Sequence, residues 1–171
     1  MDIAEPAWVP VHGTWVRHTA PGVSGIEPHA GGSRWLMPGT RGVYLADSEE
    51  TAWAELYRAL AESGRGPVGA MPRDLHRVTV GLDRVADLRT ERSRRALGLP
   101  RMRPTERQWP SFQAVGERLA QQGAQGVLYG SAARARSACL CVFEAGLAAL
   151  RVEGAPITVL APPPLPRGLR T

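Results

Sequence analysis

Glu55 stands three residues after Ala52 and four before Ala59, at the edge of the apolar stripe of a well-signalled helix. A carboxylate there is either a solvated boundary group or an inward-facing one beside a cleft. In the second case it can hold a ribose hydroxyl and stabilise positive charge developing at an anomeric carbon. Arg34 lies in Gly31-Gly32-Ser33-Arg34-Trp35, where small residues let a ligand approach the backbone closely. Its guanidinium is either a surface charge on a loop or a fork that grips a pyrophosphate bidentately. Tyr44, in Gly42-Val43-Tyr44-Leu45-Ala46, is a core tyrosine or a ring that stacks on a planar heterocycle. Ser131 follows the strand-like Gly126-Val127-Leu128-Tyr129 and is flanked by Gly130, Ala132 and Ala133, the setting of a hydroxyl that binds phosphate or a reacting ribose. No His–acid pair is placed by sequence to activate it, and Gly-x-Ser-x-Gly is absent, which argues against a serine nucleophile. Arg17-His18 closes a further strand-like run, with His18 read as a structural histidine or an acid–base group.

Several elements must position these side chains. Asp47 and Ser48 can cap the Glu55 helix, Glu49 and Glu50 complement its N-terminal dipole, and Gly64 stops it. Ala52, Trp53, Leu56, Ala59 and Leu60 form its apolar stripe. A second helix is expected over about 108–122, with Phe112, Val115 and Leu119 facing inward and Gly123 ending it. Strands are expected at 14–18, 42–46, 75–80, 126–129, 138–143 and 157–160. Mixed strands with helices between them predict an α+β (mixed α/β) fold in one domain over 1–171, its core about 14–160. Residues 1–10 and the proline-rich 162–171 read as loose ends or a short extended arm.

Composition narrows the class. A chain of 171 residues is long enough to bury about 70% of its unfolded surface. Its 43% hydrophobic and 22% charged residues are ordinary for a globular protein. No apolar run approaches the roughly 20 residues of a membrane helix, and the N-terminus lacks a signal-peptide pattern, so a cytoplasmic location is expected. All 21 basic residues are arginine, and the net charge is +5. The absence of lysine excludes a Walker A motif and Schiff-base chemistry. The densest patch holds Arg89, Arg92, Arg94, Arg95, Arg101, Arg103 and Arg107, read as a solvated helix and loop or as a surface for an acidic partner or nucleic acid. Cys139 and Cys141 share one face of a strand, are poorly placed for a disulfide, and lack a second pair for zinc; both are read as small buried apolar residues and no metal is expected.

Taken jointly, the motifs resemble those of the RES domain, the toxin half of bacterial Xre–RES toxin–antitoxin pairs. They are Gly-Gly-x-Arg-Trp at Arg34, Tyr-Leu-Ala-Asp-Ser at Tyr44, Ala-x-x-Glu at Glu55, Trp-Pro-Ser-Phe-Gln-Ala-Val-Gly from Trp109 to Gly116, and Gly-Val-Leu-Tyr-Gly-Ser at Ser131. The similarity runs from about Trp15 to Ile157. It implies a fold resembling the ADP-ribosyltransferases, with a central NAD cleft, and cleavage of the nicotinamide–ribose bond of NAD with inorganic phosphate or water as acceptor. The family's NAD-site positions match Arg17, Arg34, Tyr44, Glu55 and Ser131. By this resemblance Arg34, Glu55 and Ser131 are catalytic, and Arg17, His18, Arg34, Tyr44, Glu55 and Ser131 bind the substrate. Arg17 and Arg34 would take the pyrophosphate, Tyr44 the nicotinamide, Glu55 the ribose, and Ser131 the ribose or the incoming nucleophile. His18 occupies the family's aromatic position, and Leu36-Met37-Pro38 replaces the Asn-Pro of many members; both are departures from the pattern.

The resemblance also implies a cognate Xre-type antitoxin as partner, allows a homodimer within that complex, and assigns DNA binding to the antitoxin, with no membrane and no direct nucleic-acid contact for this chain. Two other functions remain open: a protein mono-ADP-ribosyltransferase using the same NAD site, and a non-catalytic basic binding module. Labelled protein would mark the first, and salt-sensitive binding with intact NAD the second.

Overall fold

The computed structural model describes residues 5–103 and 105–170. Its backbone is a seven-stranded sheet that curls on itself. Two long strands, β1 (Ala7–Thr19) and β3 (Arg73–Leu88), pair antiparallel from Ala7↔Asp87 to Thr19↔Asp74, with a bulge between Val9 and Val11. Between them in the chain come β2 (Gly42–Ala46) and helix α1 (Glu49–Glu62). After β3 follow α2 (Glu91–Ala96), α3 (Trp109–Gln121), β4 (Gly126–Gly130) and β5 (Ala138–Phe143). Two short strands, β6 (Leu150–Val152) and β7 (Ile157–Val159), complete the sheet. β2 pairs antiparallel with β5, β5 with β4, and β4 parallel with β3. One bridge, Val16↔Ala46, joins β2 to β1 and closes the ring. β6 and β7 lie antiparallel along the remainder of the β3 edge that β4 uses.

The two-residue alternation of strands sorts side chains between two cores. Val11, Val43, Leu45, Val78, Leu140 and Val142 belong to the cluster that fills the ring. Their neighbours Val127, Tyr129, Cys139, Cys141 and Phe143 turn outward and pack with Trp35, Phe112, Val115 and Leu119. A third cluster sets Trp53 and Tyr57 of α1 against Val16, Ala46 and Leu75.

Each expected strand is present, and the two helices fall where their caps place them. Ser48 accepts from the Thr51 amide, and Gly64 and Gly123 take left-handed backbone just past the helix ends. Where structure and sequence part, polar residues mask the pattern. β1 starts at Ala7 rather than 14, so this segment is not a loose end: Ala7, Trp8 and Val9 pair with Asp87, Ala86 and Val85 of β3, while residues 1–4 lie outside the described residues. β3 extends to Leu88 through Asp83 and Arg84, whose exposed side chains interrupt the apolar run. β6 and α2 carry too little apolar pattern to be foreseen.

The tail through residue 170 is also bonded to the body of the fold. Tyr57 donates to the Pro163 carbonyl. Arg134 Nε donates to Arg167 O at 2.9 Å, and the Ala135 and Arg170 amides bond Gly168 O and Ala133 O at 2.9 and 2.7 Å. The segment thus satisfies backbone groups of the 131–137 loop that no strand reaches. Cys139 and Cys141 are free and buried. Among the described residues no helix is long and apolar enough to cross a membrane, and no group of three or more His, Cys, Asp or Glu could hold a metal ion.

Candidate active site

The site begins with the fastening of α1. Arg134 forms an ion pair with Glu50 in the helix's first turn, and its Nη1 reaches Thr51 Oγ1 at 3.2 Å and Ser137 Oγ at 3.0 Å. This clamps the helix N-terminus to the 131–137 loop and brings Ser131 beneath Glu55. The Ser131 hydroxyl donates to Glu55 Oε1 at 2.6 Å and accepts from the Ala133 and Arg134 amides at 3.1 and 2.9 Å. Its one proton and both lone pairs are therefore engaged. Ser131 is 1% exposed, and its hydroxyl proton is directed to Glu55.

A second donor reaches the same oxygen. The Cys139 thiol lies 3.5 Å from Glu55 Oε1. Burial, then the neighbouring Glu55 charge, holds that thiol well above its ordinary pKa, so it stays protonated and donates. Among the described residues the bonds from Ser131 and Cys139 both fall on Oε1, and Oε2 takes none.

Glu55 opens onto a cleft of about 540 Å³ lined also by Arg34, Tyr44, Arg58, Trp109 and Tyr129. The register explains the wall. Tyr44 pairs with Cys141 and Tyr129 with Cys139 across β2, β5 and β4, so these side chains share the outward face. The Tyr44 hydroxyl accepts from the Trp35 amide at 2.9 Å and shares a hydrogen bond with Ser33 Oγ at 2.7 Å. Burial raises its pKa well above the usual tyrosine value, which keeps it neutral.

Helix α3 completes the support of this loop. Gln113 Nε2 donates to Ser33 O at 2.8 Å and Leu36 O at 3.2 Å. Gly116 allows close approach: a Cβ there would lie 2.2 Å from Trp35 O. The Gln-Ala-Val-Gly segment is therefore the seat of the Arg34 loop. Arg34 projects from it over the Phe112 ring at 5.3 Å, its Nη2 donating to Arg103 O at 2.7 Å. Its Nη1 is buried without a partner among the described residues.

The sequence-expected set thus divides. Arg34, Tyr44 and Glu55 line one cleft, and Ser131 stands behind Glu55. Arg17 and His18 are not among the residues that line that cleft. Arg17 Nη1 donates to the carbonyls of Gly25 and Glu27 at 3.1 and 2.7 Å, fastening the loop after β1, and burial lowers its pKa. His18 stacks on Trp53 at 5.2 Å and 8°. Arg73 donates to its Nδ1 at 2.9 Å, so Nε2 carries the proton toward Ala52 O at 3.1 Å. Burial, then the Arg73 charge, pushes its pKa down to about 4. Both ring nitrogens are occupied and the ring is neutral at pH 7. Arg58, Trp109, Tyr129 and Arg134 are outside the expected set, although Tyr129 and Trp109 fall inside the quoted motifs and Arg58 follows Glu55 by one turn; Cys139 is expected only as a small buried apolar residue.

The arginine-rich segment is largely self-contained at its start. Arg89 pairs with Asp87 at 2.7 Å, Arg95 with Glu91 at 2.5 Å, and Arg94 donates to Leu88 O at 2.8 Å. Arg92, Arg101, Arg103 and Arg107 are exposed.

No curated protein matches the sequence. A chain from the crystal structure of the M. tuberculosis MbcT–MbcA toxin–antitoxin complex superposes with a TM-score of 0.77 at 25% identity, covering 90% of this chain and 87% of that chain. The RES domain family matches residues 7–161. By that match, which takes in every residue of the cleft, the chain belongs to the RES domain family.

Proposed function

We propose that this protein is the toxin of a toxin–antitoxin pair and depletes NAD by cleaving its nicotinamide–ribose bond. The observation that carries the reading is Glu55, a residue of the cleft wall, with one carboxylate oxygen held by Ser131 and Cys139 and its other oxygen without a hydrogen bond among the described residues. A carboxylate so fixed suits an oxocarbenium-like transition state, because its charge needs no reorganisation as positive charge develops on the sugar. The bond from the anomeric carbon to the pyridinium nitrogen breaks, its electron pair stays on that nitrogen, and neutral nicotinamide leaves. The oxygen of inorganic phosphate or water then bonds to the carbon. Phosphate gives ADP-ribose-1″-phosphate; water gives ADP-ribose and releases a proton.

Glu55 orients the ribose through Oε2, Arg34 binds the pyrophosphate, and Tyr44 and Trp109 offer aromatic surface to the nicotinamide. Ser131 positions Glu55. The likeness to a chain of a toxin–antitoxin complex supports a protein antitoxin as partner, and the exposed Arg101, Arg103 and Arg107 beside the cleft offer it a basic surface.

The test is NAD consumption by the purified protein with and without inorganic phosphate, the products identified by mass. Glu55→Gln should lower turnover by about 100-fold or more, several kcal/mol of transition-state stabilisation, in a protein that remains folded. Wild-type turnover in that variant overturns the assignment. ADP-ribose on a protein band, without free product, would instead make the chain a protein mono-ADP-ribosyltransferase.

A further inference from the structure

Arg58 follows Glu55 by one turn of α1 and lines the same cleft. Carboxylates stand on either side of it, Glu55 three residues before and Glu62 four after, at the spacings where helical ion pairs form. Among the described residues neither comes within 4.0 Å of its guanidinium, whereas Arg95 and Arg134 do find carboxylates. Its Nε is buried and has no hydrogen-bond partner among the described residues. Of the buried side-chain nitrogens without partners among the described residues, those that belong to cleft-lining residues are Arg34 Nη1 and Arg58 Nε. A guanidinium cannot relieve such a deficit by deprotonating; it needs an acceptor oxygen.

We propose that Arg58 is a second anion-binding residue of the cleft and that Arg34 and Arg58 hold the diphosphate of the substrate from two walls, the 31–38 loop and α1. The inference rests on the reading of Glu55 as the ribose carboxylate. Three residues along a helix is a rise of about 4.5 Å, which sets Arg58 roughly as far along the cleft as a 5′-phosphate lies from the ribose that carries it. Two planar forks fit a diphosphate better than a single charge, since each phosphoryl group presents oxygens for bidentate bonding. Arg58 then selects for nucleotides carrying a diphosphate and against nucleosides. It belongs to binding, whereas Glu55 belongs to bond cleavage.

Calorimetric titration of the purified full chain with ADP-ribose and with adenosine tests this, using wild type, Arg58→Gln and Arg58→Lys. Wild type should bind ADP-ribose more tightly than adenosine. Arg58→Gln should weaken ADP-ribose by 10-fold or more, the loss of one charge-assisted bond, and leave adenosine within a factor of two. Arg58→Lys, which keeps the charge without the fork, should fall between. In turnover, Arg58→Gln should raise KM for NAD by at least 10-fold with a much smaller change in kcat, the reverse of Glu55→Gln. If wild type consumes NAD and prefers ADP-ribose, but Arg58→Gln binds it equally well, Arg58 is no phosphate ligand and the NAD reading stands. If wild type neither consumes NAD nor prefers ADP-ribose to adenosine, both fall together.

Discussion

The carboxylate of Glu55 shows how one side chain is made specific by its neighbours. Ser131 Oγ is polarised by the Ala133 and Arg134 amides and passes that polarisation to Glu55 Oε1. Ser131→Ala should therefore lower kcat by about 10-fold or more, with little change in affinity for ADP-ribose. Steady-state kinetics beside calorimetry would show it, and a loss confined to KM would instead make Ser131 a substrate contact. His18 sets a different dependence. Its folded pKa, pushed down to about 4, lies below the ordinary histidine value of 6.5. Between those values the unfolded chain binds a proton that the folded chain refuses, so stability falls as pH drops through this window and is restored above it. The full effect is on the order of 3 kcal/mol. Urea midpoints at pH 7.5 and pH 4.5 should differ accordingly, and His18→Gln should flatten the difference. An unchanged slope would show that the ring is protonated without penalty. Asp74, Asp87 and Glu153, whose pKa values are lowered by hydrogen bonds, lose their stabilisation mainly below their ordinary values of 3.8, 3.8 and 4.5.

At the scale of elements, the cleft depends on α3 lying directly on the loop that presents Arg34. Gly116 is the contact that permits it, because any Cβ at this position meets the Trp35 carbonyl at 2.2 Å. Gly116→Ala forces backbone apart on one side or the other and should cost about 2 kcal/mol or more. In a chain of this size that lowers the thermal midpoint by about 4–8 °C, and the displaced loop should weaken ADP-ribose as well. A calorimetric scan reads the first effect and titration the second; a midpoint equal to wild type would mean that the helix has room to spare. The helix itself was legible in sequence, since Phe112, Val115 and Leu119 recur on one face. What it rests on was not, because Trp35 is remote in the chain and nothing local links the two segments.

Across the whole molecule, closure of the sheet decides which parts of the chain matter to the site. β1 and β3 form a long ribbon whose far edges are joined through β4, β5 and β2. The filled ring leaves β2, β5 and β4 with one outward face, and that face becomes the cleft wall. The tail beyond β7 then runs along the 131–137 loop, bonding Ala133, Arg134 and Ala135. Removing residues 163–171 should lower both thermal stability and NAD turnover, since the loop that carries Ser131 loses those partners. A truncated protein with full activity would show that Arg134 and Ser137 hold the loop unaided.

By itself the sequence determined what local physics encodes: strand alternation, the capped helix bearing Glu55, glycine stops at helix ends, and motifs specific enough to indicate the family. The tertiary structure alone decided which distant segments meet. It brought Ser131 onto Glu55 across 76 residues of chain, set Cys139 beside the same carboxylate and Arg58 along the same cleft, and gave Arg17 and His18 partners within the fold. The reason is physical. Periodicity and caps depend on neighbours within a turn or a strand, whereas register, ring closure and helix seating depend on contacts between remote residues that no local pattern carries.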